Sequence, residues 1–535
     1  MMVNNSLYSD ERWQRFKDKF GKTASEFKLK KYPQLDPYFD FFNFSELIKA
    51  KVSDPTLKAI QSHSFLPFLK ILTKTPRYKY QEDKFSYSLE TKIRPISFAS
   101  HFDSYIYAYY SFALTEEYQS YLRDKDFKDC ILAYRTDLGG LCNIQFAKEA
   151  FNRVNDHIRR RGRCTSIALD ITGYFDNIDH EILKEKWCKI LTSSELPIDQ
   201  YKVFRSLTKY SYVNYFSFLK HFNINLDRLK KQDFRWQSIL DLLDETVFGH
   251  TLMEKLNFLR SKNLITTNLP KKNIKSGELE SRGIPQGSSM SSVLSNIYLI
   301  DFDEFVNSLG NKLDFSYRRY CDDILIICNT ADAEDICSIV LAEIKKYKLV
   351  IQTKKAERID FARNSKGKIR GFNYKKLVKN PSLLTPENES RLYKSLQYLG
   401  FEFNGQDVYV RSGSLSRYFQ KMKGRITKTI MMSYSSQSKR EQILKKQIFE
   451  RYSHLGKRNF LSYVQDAAKK TYTKSSGIPR QGFDSPAIRK QLAHHFRIIE
   501  QEILKTSEQR FTQKEKQHLS KLLQNKRTKK VVLKS

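Results

Sequence analysis

Two rhythms of apolar residues alternate along the chain. Short runs rich in β-branched and aromatic side chains predict strands, and stretches with apolar positions every three or four residues predict helices. From Ser86, the segment SYSLETKIRPISF reads as a short strand carrying Lys92 and Arg94, and an aromatic-rich helix follows from about Asp103. Thr165–Leu169 predicts a buried strand, with Asp170 at its end and a tight Thr172-Gly173 turn leading into Tyr174 and Phe175. Tyr317–Tyr320 and Ile324–Cys328 predict the two arms of a hairpin, with Cys321, Asp322 and Asp323 at its turn. Between these strands lies RGIPQGSSMSSVLSNIYLIDF, a glycine-proline loop that enters an apolar helix with Ser288 or Ser289 as N-cap. Ala331–Tyr347 predicts an amphipathic helix, and the Asn404-Gly405 pair is a hairpin-turn signal in its own right.

The flanks are less explicit. Residues 1–80 mix aromatic and basic residues without repeat or low-complexity tract, and predict an N-terminal extension with some helix. The run from Glu181 to about Lys275 is helical by pattern, for example FRWQSILDLLDETVF, and reads as an insertion. Ala362–Asn388 is polar and contains glycine and proline, as a basic loop or hairpin would. From Ser414 helical periodicity is plain. Leu415, Phe419, Met422, Ile426 and Ile430 form an apolar stripe, and Arg417, Lys421, Arg425 and Lys428 form a basic stripe about half a turn away. A loop, SSGIPRQGFDSP, precedes a final helix capped by Ser485 with Pro486 in its first turn, and the chain ends in a basic tail.

Charge sharpens the picture. The 535 residues hold 94 Lys and Arg against 59 Asp and Glu, a formal net charge of +35, which makes a polyanion the default partner. With 40% hydrophobic residues the chain can still bury a large core. No apolar run approaches the roughly 18 to 20 residues that span a bilayer, and the start lacks the apolar core of a signal peptide, so a cytosolic protein without membrane partner is expected. The seven cysteines show no CxxC pair and read as reduced core residues. His494 and His495 lack a second ligand pair at metal spacing and read as structural.

The candidate chemistry is carried by carboxylates. Asp170 at the end of a strand and the Asp322-Asp323 pair at a hairpin turn suit a shared cation site, and the Gly-Ile-Pro-Gln-Gly loop can bring backbone close to a planar or phosphate group. These three stretches, in this order, resemble the reverse transcriptases. Asp170 matches that family's first metal-binding aspartate, Pro285-Gln286-Gly287 its nucleotide-pocket loop, and Tyr320-Cys321-Asp322-Asp323 its catalytic box. Together with RPISFASHFDSYIYAYY, ILAYR and YLGFEFNGQDVYVRSGSLSRYF, they look most like the bacterial defence-associated members, the group that includes antiphage systems.

The resemblance implies an α+β right-hand polymerase with fingers, a palm built on an antiparallel sheet, a helical thumb and a helical C-terminal extension. The expected division is 1–80 for the extension, 81–412 for fingers and palm with the insertion at about 181–275, 413–472 for the thumb, and 473–535 for the C-terminal helices and tail. It implies RNA-directed DNA synthesis by two-metal nucleotidyl transfer, with Mg2+ or alternatively Mn2+ on Asp170, Asp322, Asp323 and the Ile171 carbonyl. It further implies that Lys92, Arg94, Gln286 and Lys355 meet the incoming dNTP, that Phe175 is the steric gate against a 2′-hydroxyl, and that Leu399, Gly400 and Phe401 form the primer grip. Arg417, Lys421, Arg425 and Lys428 would then meet nucleic-acid backbone. The expected partners are an RNA template, in that group commonly a non-coding RNA, and a DNA product, with an oligomer or partner protein left open. Three alternatives stay open as well: a template-independent or protein-primed DNA synthase, an RNA-dependent RNA polymerase, and a non-catalytic RNA-binding protein that keeps the fold.

Overall fold

The strand Cys164–Asp170 is the axis on which the rest is hung, lying third in an antiparallel five-stranded sheet ordered Ile369–Asn373, Glu357–Arg363, Cys164–Asp170, Asp323–Cys328, Ser316–Tyr320. In this computed structural model the described residues are 7–21, 32–81, 86–224, 238–243, 248–272, 277, 279–353, 356–433, 445–474 and 477–508. The two central strands, Cys164–Asp170 and Asp323–Cys328, are buried on both faces, which explains the continuous apolar run Ile324–Cys328. Successive residues of Asp323–Cys328 feed opposite cores, Ile324, Ile326 and Cys328 one and Leu325 and Ile327 the other.

The first core is covered by three helices, His101–Leu122, Ser289–Tyr298 and Ile300–Leu313. His101–Leu122 is buried nearly all round, with Tyr105, Tyr107, Tyr109 and Tyr110 each 1% exposed, and it starts on an N-cap bond from Asp103 N–H to Ser100 Oγ. The second core joins helix Asn143–Arg161 to a small sheet of Leu396–Tyr398, Phe401–Phe403 and Val408–Val410, and to the long helix Ser412–Ser433. Tyr418, Met422, Ile426 and Ile430 of that helix are buried, while Leu415 and Phe419 pack at the margin, as the predicted stripe requires.

Four boundaries differ from the sequence expectation. The extension 1–80 does not end before the readable part, because Phe68–Gln81 is a strand paired along its length with Ser86–Phe98. Its mixed aromatic and basic composition carries no period that would mark a strand. The stretch 181–275 is not wholly helical: Ser211–Asn214 runs parallel to Phe68–Lys70 and pairs with Ile265–Thr267, so it widens the ribbon's base into a four-stranded sheet around a third core of Leu69, Val213, Phe218 and Leu256. Of FRWQSILDLLDETVF, only 238–243 falls within the described residues, and there Ile239–Leu242 is a 3-10 turn. The loop before the last helix contains Pro479–Gln481, which pairs with Thr471–Thr473, and two helices follow, Pro486–Leu492 and His495–Glu508.

Helices and mostly antiparallel sheets thus give the α+β layout of a right-hand polymerase, with the five-stranded sheet as palm, the ribbon above it and helix Ser412–Ser433 beside it. No helix among the described residues is long and apolar enough to cross a membrane. All seven cysteines are free thiols, five of them buried. His495 is held by Leu492 O and lies 3.2 Å from His454. The basic tail from 509 onward lies outside the described residues.

Candidate active site

Asp170 ends the central strand and stands opposite Asp323 in the antiparallel register. Tyr320 pairs with Asp323, so the hairpin closes through a two-residue loop, Cys321-Asp322, with Cys321 in the left-handed region at φ 58°. Asp323 is therefore the first residue of the strand and not part of the turn, a consequence of the loop needing only two residues. Backbone bonds lock the junction: Ile171 N–H donates to Asp322 O at 3.1 Å, and Gln352 N–H donates to Asp170 O at 2.8 Å. The three carboxylates are held by main chain rather than by loops free to drift.

Their electrostatics are those of a crowded anionic site. Loss of water raises the Asp322 carboxyl above its ordinary range, and the neighbouring Asp170 charge adds to the rise, against a pull from Lys92. Asp323 is pushed up to about 6, first by desolvation and then by Asp322 and Asp170, with Arg411 and Lys92 opposing. Asp323 nonetheless keeps an exposed edge toward a cleft of about 500 Å³. Lys92, Asp170, Asp323, Lys394, Leu399 and Arg411 all line this cleft, which brings the ribbon, the catalytic strands and the small sheet to one place.

The other sequence candidates distribute around it. Arg94 shares a face of its strand with Lys92, two residues on, but does not line the cleft. Phe175 sits half-buried in the short helix Tyr174–Asn177, and its carbonyl accepts a bond from Ile284 N–H at 2.9 Å. The Pro285-Gln286-Gly287 loop is fastened to the ribbon by Ser97 N–H donating to Gln286 O at 2.8 Å. At Gly287, φ is 125° and an added Cβ would lie 2.7 Å from Ser97 O, so the close approach needs glycine. Leu399 and Gly400, at φ 45° and 92°, form the turn between Leu396–Tyr398 and Phe401–Phe403; Leu399 faces the cleft and Phe401 is buried beneath it. Arg417, Lys421 and Lys428 are exposed and Arg425 is half-buried on helix Ser412–Ser433. Lys355 lies outside the described residues.

Four cleft cations were not among the sequence candidates, Arg358, Lys375, Lys394 and Arg411. Arg411 follows the strand Val408–Val410 and donates its N–H to Gly400 O at 2.9 Å, which pins it beside the Leu399 turn. No periodicity marks such a residue, because its place depends on the fold of the small sheet.

The carboxylates fit divalent cations. Magnesium is commonly held by one or two carboxylates with substrate phosphates completing its oxygen shell, and no closed cage is needed. Among the described residues no three His, Cys, Asp or Glu side chains converge as a preassembled metal cage, although the charges of Asp322 and Asp170 both act on Asp323.

Residues 228–403, a third of the chain, match the family model described as reverse transcriptase (RNA-dependent DNA polymerase). The match takes in Gln286, Asp322, Asp323 and Leu399–Phe401 and begins after Asp170, whose membership in the site rests on its register with Asp323. These residues are similar to a reverse-transcriptase domain, and the model they match describes an RNA-directed DNA polymerase, a nucleotidyltransferase. Similar solved structures include an apo telomerase from Candida tropicalis truncated from its C-terminal domain, with 11% identity and a TM-score of 0.31, covering 70% of this chain and 61% of that one. They also include apo telomerase from Candida tropicalis, with 12% identity, a TM-score of 0.34 and coverages of 88% and 67%. Telomerase from Candida albicans in complex with a TWJ fragment of telomeric RNA gives 14%, 0.31, 91% and 71%. These identities and TM-scores leave the family model to carry the assignment. No curated protein matches the chain.

Proposed function

We propose that the protein copies an RNA template into DNA, with Mg2+ ions held by Asp170, Asp322 and Asp323 and, at one ion, the Ile171 carbonyl. The observation that carries this reading is the register that sets Asp170 opposite Asp323 at the mouth of a cleft shared with Lys92 and Arg411. When bound, such ions activate the attacking 3′-hydroxyl and stabilise the leaving pyrophosphate.

The protein's own part is to position and to exclude. Lys92, on the ribbon, supplies positive charge where the triphosphate of a dNTP would lie, with Arg94 one step along the same face. Gln286 and Phe175 belong to one backbone-bonded unit, which suits a pocket that reads base and sugar together. Leu399, Gly400 and Phe401 would hold the priming strand, and Arg417, Lys421, Arg425 and Lys428 the duplex backbone beyond it. In this reading the fingers begin at Phe68, the palm runs to Arg411, the thumb spans 413–472, and residues 473–535 form a C-terminal extension.

The net charge of +35 supports a large nucleic-acid partner, and the RPISFASHFDSYIYAYY, ILAYR and YCDD stretches support a role in antiphage defence with a non-coding RNA as template, in the cytoplasm. The test is primer extension on RNA with each dNTP, together with sequencing of nucleic acid that copurifies with the protein. Asp322→Asn and Asp170→Asn should each lower incorporation by on the order of a thousandfold while the melting temperature holds, since charge is removed and little volume. Full activity in either variant would remove that carboxylate from the mechanism. Ribonucleotide incorporation, or deoxynucleotide incorporation without template, would move the assignment to the corresponding polymerase class.

A further inference from the structure

Arg319 does not line the cleft, yet it is among the largest fully buried side chains of the protein. It lies on strand Ser316–Tyr320, two residues before the catalytic turn, and its guanidinium forms a two-pronged pair with Asp303, Nε to Oδ1 at 2.7 Å and Nη2 to Oδ2 at 2.5 Å. Both side chains are 0% exposed. The Asp303 carboxylate is filled further by Tyr317 OH, which donates to Oδ1 at 2.7 Å. The remaining arm is aimed elsewhere. Nη1 donates to Cys321 O at 3.2 Å and to Asn296 Oδ1 at 3.3 Å.

Each of those bonds leads to a different part of the site. Cys321 is the left-handed residue of the two-residue loop, a conformation that a side chain with a Cβ adopts only where its surroundings hold it. Asn296 belongs to the helix Ser289–Tyr298 that continues from the Pro285-Gln286-Gly287 loop, and its Nδ2 donates to Ala133 O at 2.7 Å. Main chain closes the circuit, since Arg319 O accepts from Leu132 N–H at 3.0 Å and Ile131 bridges Arg319 in parallel. At the far side of the turn, Asp322 O is already taken by Ile171 N–H. The peptide that carries Asp322 is thereby gripped on one side by Arg319 and on the other by the Asp170 strand.

We propose that Arg319 is the positioning residue of the catalytic turn, its guanidinium holding the Cys321 carbonyl so that Asp322 is fixed relative to Asp170 and to the helix of the nucleotide loop. A buried ion pair is weak evidence for stability, since apolar residues of like volume often serve as well, and geometry is the better reason for one here. Only a planar fork can hold a carboxylate with two nitrogens and still reach a carbonyl with the third; an ammonium on the same stem holds one or the other. The role rests on the reading of Asp322 as a catalytic carboxylate, but the effect on the turn does not.

The test therefore has two arms. Cys321, 4% exposed, is a built-in reporter of the turn, and Cys130 and Cys328, both buried in the same core, report on the fold. Iodoacetamide labelling with peptide mapping is followed in wild type, in Arg319→Lys, and in the paired Arg319→Met, Asp303→Leu variant, which leaves no uncompensated buried charge. In both variants Cys321 should label on the order of tenfold faster as the turn opens locally, with Cys130 and Cys328 unchanged. In primer extension the Mg2+ concentration for half-maximal rate should rise several-fold, which a lower folded fraction alone would not produce. Unchanged Cys321 labelling in a folded variant overturns the proposal, and so does a parallel rise at all three cysteines, which would make Arg319 a residue of the fold and nothing more. Should the wild type fail to extend a primer, the polymerase reading falls while the labelling arm still decides what Arg319 does.

Discussion

In the proposed reading, the choice between DNA and RNA as product turns on Phe175. Its ring leaves the short helix Tyr174–Asn177 directly after the turn that follows Asp170, and it packs half-buried at the edge of the main core, 5.7 Å from the Tyr174 ring. In the proposed complex the ring lies under the sugar of the incoming nucleotide. A ribose would then press its extra hydroxyl on carbon, losing a hydrogen bond to water and gaining overlap, at a cost of roughly 1 to 3 kcal/mol. Since about 1.4 kcal/mol is tenfold, wild type should prefer dNTP over NTP by roughly ten- to a hundredfold. Phe175→Val opens the space without touching the backbone bond from Ile284 N–H to the Phe175 carbonyl, so the nucleotide loop keeps its anchor. A half-buried ring truncated to valine costs the fold about 1 to 2 kcal/mol, less than full burial would. That loss lowers total activity but cancels in the ratio, because both nucleotides meet the same folded fraction. The assay is single-nucleotide extension with matched dNTP and NTP, and the ratio should fall at least tenfold in the variant. A wild type that already prefers NTP, or a variant with an unchanged ratio, refutes the steric argument and favours an RNA polymerase.

The remaining predictions concern surfaces that meet nucleic acid or one another. Replacing Arg417, Lys421, Arg425 and Lys428 by glutamine should weaken template-primer binding and flatten the plot of log affinity against log salt by up to about one unit for each phosphate no longer neutralised; Lys423→Gln should leave the slope alone, because Lys423 faces away to pair with Glu502 at 3.2 Å. An unchanged slope in the fourfold variant would make the stripe a solvated helix face without nucleic-acid contact. Gly287→Ala should separate the nucleotide loop from the ribbon, since its Cβ would meet Ser97 O at 2.7 Å at a φ of 125°. That strain, about 1 to 3 kcal/mol, should appear as a lower melting temperature and a higher KM for dNTP, and a variant equal to wild type in both would show that the loop is free to move off the ribbon.

Strands with one register were legible and strands with two were not. Thr165–Leu169 and Ile324–Cys328 could be placed because burial on both faces makes them short runs of small and apolar residues bounded by polar turns. Phe68–Gln81 could not, because the strand is fixed by pairing along its length with Ser86–Phe98, and its own basic and aromatic residues mix without a period. The same applies to Ser211–Asn214, a four-residue strand set between Phe68–Lys70 on one side and Ile265–Thr267 on the other. Local pattern cannot announce a partner more than a hundred residues away.

In the site, the acidic residues were legible and the basic ones mostly were not, for a reason of geometry. Asp170, Asp322 and Asp323 sit at strand ends and turns, places that sequence marks by its change of rhythm. Arg411 and Lys394 reach the cleft from the edges of the small sheet and from a chain crossing, places that become neighbours only when the fold is complete. Arg319 is the intermediate case. Strand alternation puts Tyr317 and Arg319 on one face, and Asp303 falls among the buried residues of the helix Ile300–Leu313, so a charge of each sign stands at an apolar position. A cation and an anion that each break a hydrophobic pattern, sixteen residues apart and with the cation two residues before the proposed catalytic turn, are a signal that a sequence can carry. The pattern violation is the informative feature, because burying either charge alone would be prohibitive, and only their pairing makes both tolerable.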